Sequence, residues 1–156
     1  MRFLTKRTYI WLILSGLVIY IVNVFTTEPH VTTGGGNVGF LFLPVAIFFF
    51  FCFLKNLWRD LRRLKLKLST WRIISVISII GTLLFSFLEY QFILDSIKEL
   101  GGTPQNKESR IYHFTWLNTY TNNFYINIYI LFILISAVLF IYSIFKNKSQ
   151  LSVKNS

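Results

Sequence analysis

Charge is scarce in this chain, and acid is the scarcest part of it. Charged residues make up 14% of the 156 positions, with six Asp or Glu against sixteen Lys or Arg. Soluble domains carry about 25% charged residues, because an apolar core needs polar surface to face water. This chain has too little polar surface to cover its apolar residues, which excludes an ordinary water-soluble domain. Cysteine is almost absent, with Cys52 alone inside "FFFFCF". One thiol forms no internal disulfide, and the lack of a C-x-x-C pair excludes a membrane dithiol oxidoreductase. Cys52 reads as a small apolar packing residue. No glycine-rich phosphate loop follows a strand, and no Ser/His/Asp or H-E-x-x-H arrangement is present. His30 and His113 share no metal-ligand spacing with Glu28 or Glu108. These absences imply no enzyme, no cofactor and no metal.

Apolar side chains fill the chain instead, at 54% of residues, with 19% aromatic and a mean hydropathy of +0.56. They gather in four runs, at about 9–25, 38–54, 73–94 and 124–145. Each approaches the ~20 residues that a helix needs to cross ~30 Å of hydrocarbon. Backbone groups facing lipid must bond internally, so such runs are helices. The expected fold is all-α: an integral membrane four-helix bundle forming a single membrane domain over 1–156. The first run follows the basic start "MRFLTKR" like a signal peptide, but it is longer than a signal core and lacks a small-x-small cleavage site. It is expected to be a retained span. Pro44 is expected to kink the second span.

The net charge of +10 is not that of a nucleic-acid binder, because the basic residues lie between apolar runs. With four spans, the termini share a side with the middle loop, 55–72. That side holds Arg2, Lys6, Arg7, Lys55, Arg59, Arg62, Arg63, Lys65, Lys67, Arg72, Lys146, Lys148 and Lys154. The other side, with loops 26–37 and 95–123, holds only Lys98, Lys107 and Arg110. Cytoplasmic loops carry the excess of Lys and Arg, so both termini and the 55–72 loop are expected in the cytoplasm of a cell-membrane protein. Arg59, Arg62, Arg63, Lys65 and Lys67 are the expected contacts to anionic lipid headgroups.

Leu57, Leu61, Leu64, Leu68 and Trp71 recur at spacings of four, three, four and three. On a helix they form one stripe, suited either to the membrane interface or to docking under the bundle as an extension of the second span. Tyr9, Trp11, Trp58, Trp71 and Tyr142 fall near the expected inner boundary. Tyr90, Tyr112, Trp116, Tyr120 and Tyr125 fall near the outer one, where amphipathic rings belong. Gly34 to Gly36 leave the first outer loop free to turn. Gly101-Gly102, followed by Pro104, reads as the stop of the third helix, and "RIYHFTWLNTY" as an aromatic segment on the outer interface.

Ser75, Ser78, Thr82, Ser86 and Glu89 share one narrow face of the third span. Small polar residues let membrane helices approach closely, so this face is expected to turn inward as a polar seam. Gly16, Tyr20 and Asn23 on the first span, and Tyr125, Tyr129, Ser136 and Ser143 on the fourth, are its expected counterparts. Glu89 is the only acid inside a span, which makes it a candidate functional group by default. Tyr20, Asn23 and Tyr125 are its expected hydrogen-bond partners.

Four spans and one carboxylate resemble the small multidrug exporters in outline, but those carry their glutamate deep in the first span and have shorter loops. The sequence thus supports a non-catalytic contact protein, acting as an accessory subunit, a sensor partner or an immunity-type protector. The alternative is a small transporter or channel-forming oligomer using Glu89. Expected partners are membrane lipids, a second membrane protein or further copies of this chain. The abundance of Ile, Phe, Lys, Asn and Tyr points to the AT-rich genome of a Gram-positive bacterium.

The charge bias makes a direct prediction. A reporter fused after Ser156 is expected to be active only in the cytoplasm. A cysteine replacing Gly35 should react with an impermeant reagent in intact cells, while one replacing Ser69 stays protected. The reverse labelling pattern overturns the orientation.

Overall fold

The computed structural model describes residues 4–32 and 36–154, with backbone alone for 148–154. Arg2, Gly34, Gly35 and the side chains of Lys148 and Lys154, all used above, lie outside the described residues. Four α-helices carry the fold: α1 (Lys6–Val24), α2 (Phe42–Arg63), α3 (Leu68–Glu99) and α4 (Ile128–Lys154). Short 3₁₀ turns at Val38–Leu41 and Asn122–Phe124 lead into α2 and α4. All four helices are long and apolar enough to cross a membrane. Their outward surfaces are apolar as well: Ile13, Phe51, Ile77, Leu83 and Phe145 are each more than 60% exposed.

The helices pack as two pairs, α1 with α2 and α3 with α4, and α2 joins α4 to close the group. One end of the bundle carries the start of α1 and the 64–67 turn, and is called the basic end. The opposite end carries 25–37 and 100–127, and is called the loop end.

At the basic end, α2 does not stop with the apolar run at Leu54 but continues to Arg63. The reason lies in the leucine stripe. Leu57 and Leu61 are 6% and 5% exposed, Trp71 is fully buried, and Leu64 and Leu66 pack against the same core. The 55–72 segment is therefore two helix ends around a four-residue turn, and its stripe docks under the bundle. Trp71 and Tyr142 are core residues at this end. The Tyr142 ring lies 5.2 Å from Trp71 and meets Trp58 edge-on at 5.0 Å. Pro44 is not a mid-helix kink: it is the third residue of α2, within the first turn, where backbone N–H groups have no intrahelical acceptor to lose.

The seam between α3 and α4 is tight at its middle. A Cβ on Gly81 would stand 3.0 Å from the Ser136 Oγ, and Ser78, one turn earlier, is 3% exposed. Phe85 stacks on Phe132 at 4.7 Å. At the loop end α3 stops where the glycines indicate. Gly101 and Gly102 take positive φ of 77° and 124°, and their N–H groups return to the Lys98 and Ile97 carbonyls, the paired bonds of a Schellman stop. The segment that follows is a folded cap. Leu100, Ile111, Tyr120 and Phe124 form a second small core against Phe92, Ile93 and Ile97. The aromatic stretch 110–120 is thus divided, with Ile111 and Tyr120 buried and Phe114 and Trp116 exposed.

The seam geometry predicts which positions on α3 tolerate change. Ser78→Leu or Gly81→Leu forces bulk between close backbones, and overpacking of this kind costs about 1–3 kcal/mol. Ile77→Leu and Leu84→Ile lie on exposed faces and should leave thermal stability in detergent nearly unchanged. Equal melting of all four variants refutes the packing assignment.

Candidate functional site

The Glu89 carboxylate is held by an amide from α4. Asn127 Nδ2 donates to Glu89 Oε2 at 2.7 Å and to the Asn123 carbonyl at 2.9 Å. Asn127 Oδ1 in turn accepts the Ile130 N–H at 3.0 Å. Asn127 immediately precedes α4, so this last bond caps that helix in the usual N-cap manner. The side chain that caps α4 therefore also braces α3 through Glu89. Asn127 replaces the expected partners Tyr20, Asn23 and Tyr125; the Tyr125 hydroxyl instead donates to the Trp116 carbonyl. Glu89 Oε1 is buried and makes no hydrogen bond among the described residues.

The remaining seam residues divide. Ser78 is buried, Ser75 and Thr82 are half-buried, and Ser86 is exposed. Thr82 donates to the Ser78 carbonyl on its own helix at 2.9 Å. Ser136 and Ser143 of α4 are buried. The α1 face does not meet the seam: Gly16, Tyr20 and Asn23 are exposed, and no atom lies within 4 Å of a Cβ built on Gly16.

That face borders a cleft instead. Gly16, Tyr20 and Asn23 stand across from Phe92, Asn127 and Tyr129 around a cavity of about 420 Å³. Asn23, Phe92 and Asn123 also line a second cavity of about 670 Å³, which reaches Glu28, Ser96 and Glu99. Glu28 and Glu99 then border a third, with His30 and Arg110, at the rim. Glu89, Phe92, Ser96 and Glu99 repeat at three, four and three along α3, one helical face. The three spaces thus form a trench from the rim of the loop end toward the Glu89–Asn127 bond. Its lining combines the rings of Tyr20, Phe92, Tyr120 and Tyr129 with the carboxamides of Asn23, Asn123 and Asn127. Its mouth holds the exposed His30–Glu28 pair at 2.9 Å. Among the described residues no group of three His, Cys, Asp or Glu is placed to hold a metal ion.

The basic end carries a carboxylate whose role is not apparent in the sequence. Asp60, on α2, is 2% exposed. Its Oδ2 accepts the Thr5 N–H at 2.7 Å and the Thr8 hydroxyl at 2.6 Å. Thr5 is the cap position of α1, and its own side chain makes no cap bond. A carboxylate from α2 thus supplies the cap of α1 and meets the positive end of its dipole. Asp60 sits among basic residues and reads there as one member of a charged face. Its fifty-five-residue separation from Thr5 leaves no local signal. Arg59, Arg62, Arg63, Lys65 and Lys67 are all exposed around this end.

No protein-family model, curated protein or solved structure matches this chain.

The two carboxylates respond differently to substitution. Glu89→Gln keeps an acceptor for Asn127 and is expected to leave stability nearly unchanged. Asp60→Ala leaves the half-buried Thr5 N–H without its acceptor and the Thr8 hydroxyl with only the Thr5 hydroxyl at 3.1 Å, and an unmet buried donor costs about 1–3 kcal/mol. Thermal melting in detergent checks both; an Asp60→Ala protein as stable as the parent removes the cap assignment.

Proposed function

We propose that this chain is a non-catalytic, multi-pass plasma-membrane protein of a bacterium, with both termini in the cytoplasm, that works by contact. Its partner is a polypeptide segment that enters the cleft between α1 and the α3–α4 pair from the outer side. The orientation is supported by the thirteen Lys and Arg assigned above to the side of the termini, against Lys98, Lys107 and Arg110 on the other.

The observation that carries the contact reading is the cleft. Polar groups facing hydrocarbon are costly unless paired, yet α1 turns Gly16, Tyr20 and Asn23 toward open space opposite Asn127 and Tyr129. Carboxamides and phenols among apolar lining residues suit a peptide, which brings both donors and apolar side chains. The short Glu89–Asn127 bond, tied into the α4 cap, favours Glu89 as a brace for the cleft wall. The second reading, a small transporter using Glu89, is favoured by its buried Oε1.

A bulky residue at Gly16 separates the two. Gly16→Trp has room on the cleft side and should fold with the parent's melting temperature. With Tyr20 replaced by a photo-crosslinking amino acid, intact cells should give a polypeptide adduct that Gly16→Trp abolishes and Glu89→Gln leaves in place. An adduct indifferent to Gly16→Trp rejects the cleft as the contact site. Loss of cation or drug flux on Glu89→Gln establishes the transporter reading instead.

A further inference from the structure

Three cations border one groove at the basic end, and among the described residues no acid lines it with them. Arg7 of α1 and Lys55 and Arg59 of α2 border a space of about 450 Å³ between the two helices, with Ile10, Trp11 and Asn56. Lys55 and Arg59 are one helical turn apart and so project from one face. The Arg59 guanidinium is positioned: its Nη2 donates to Asn56 Oδ1 at 3.1 Å, and Asn56 Nδ2 donates to the Cys52 carbonyl at 2.7 Å. The nearby acid Asp60 does not line the groove; it is turned to Thr5 and Thr8.

Below the cations the surface becomes apolar. Trp11 packs against Phe48 at 6.0 Å and Phe49 at 5.9 Å. Ile10, Ile13 and Phe48 are each more than half exposed. They lead away from the charges along the outside of α1 and α2, toward the middle of the bundle.

We infer that this groove binds an anionic phospholipid, its phosphate between Arg7, Lys55 and Arg59 and one acyl chain along Ile10, Trp11 and Phe48. Charge complementarity selects the headgroup, since guanidinium and ammonium groups donate strong charge-assisted bonds to phosphate oxygens. The apolar track selects a lipid over a free phosphate. The inference rests on the reading of the chain as membrane-embedded with its basic end at an interface, and not on the role of the cleft beside α1. Arg62, Arg63, Lys65 and Lys67 attract an anionic surface too, but none of them lines this groove.

Native mass spectrometry of the full chain in a neutral detergent tests the site. Phosphatidylglycerol is expected to be retained in preference to phosphatidylcholine. Arg7→Gln with Arg59→Gln should weaken retention roughly fivefold for each charge removed. Lys65→Gln with Lys67→Gln removes equal charge outside the groove and should leave retention nearly unchanged. Arg7→Lys with Arg59→Lys keeps the charge and should restore most of the binding, which excludes misfolding as the cause of the loss. Equal weakening by the two glutamine pairs overturns the site in favour of diffuse attraction. Equal retention of phosphatidylcholine, or full displacement by inorganic phosphate at matched concentration, overturns the lipid assignment.

Discussion

Polar side chains at the two ends of the bundle tie together helices whose outward faces are largely apolar. Where the surrounding solvent is hydrocarbon, as proposed here, burying one more leucine gains little, and association depends on packing and hydrogen bonds between helices. The fold meets that constraint with a few long-range ties. Asp60 of α2 caps α1, and Asn127 ties α4 to Glu89 of α3. At the loop end Thr27 pairs with Thr119, and Asn37 exchanges two amide bonds with Asn122. Each joins segments far apart in the chain. Gly39 shows how closely the last of them is fitted, since a Cβ there would collide with Asn122 Nδ2.

The distribution of these ties explains the cleft. They clamp the helices at their ends and leave α1 apart from the α3–α4 pair beside the loop end. The α3–α4 pair is pressed together at Gly81 and Ser136, while Gly16 on α1 faces open space. Two helices with one glycine each therefore use it differently. One glycine permits a close helix crossing; the other keeps a wall of the cleft clear. The cap at 100–127, with its own small core, covers the loop end beside that opening and holds Tyr120 against the Val31 carbonyl.

The number of helices, their apolar character and the concentration of cations at one end were legible in the sequence. Length and hydropathy determine these, and both are properties of a segment taken alone. The Gly101-Gly102 stop was legible for the same reason, because positive φ is a local demand that glycine meets. The Leu57–Trp71 stripe showed its helical spacing, but not whether it lay on lipid or under the bundle. Only the tertiary neighbours decide that: Tyr142 of α4 packs on Trp71, which is fully buried, while the intervening cations stay outside.

Tertiary structure alone decided the partners of the acids and the fate of each small residue. Asp60 and Thr5, or Glu89 and Asn127, have no spacing that announces them, since a hydrogen bond across helices depends on how two axes cross. Gly16 and Gly81 are alike in sequence, each in a run of large apolar residues, and opposite in packing. The composition of this chain determined the kind of surface it presents and which end carries its charge. The crossing of its helices decided which polar groups are spent on holding the fold and which are left facing a cleft or a groove, because pairing is set by distance in space and not by order along the chain.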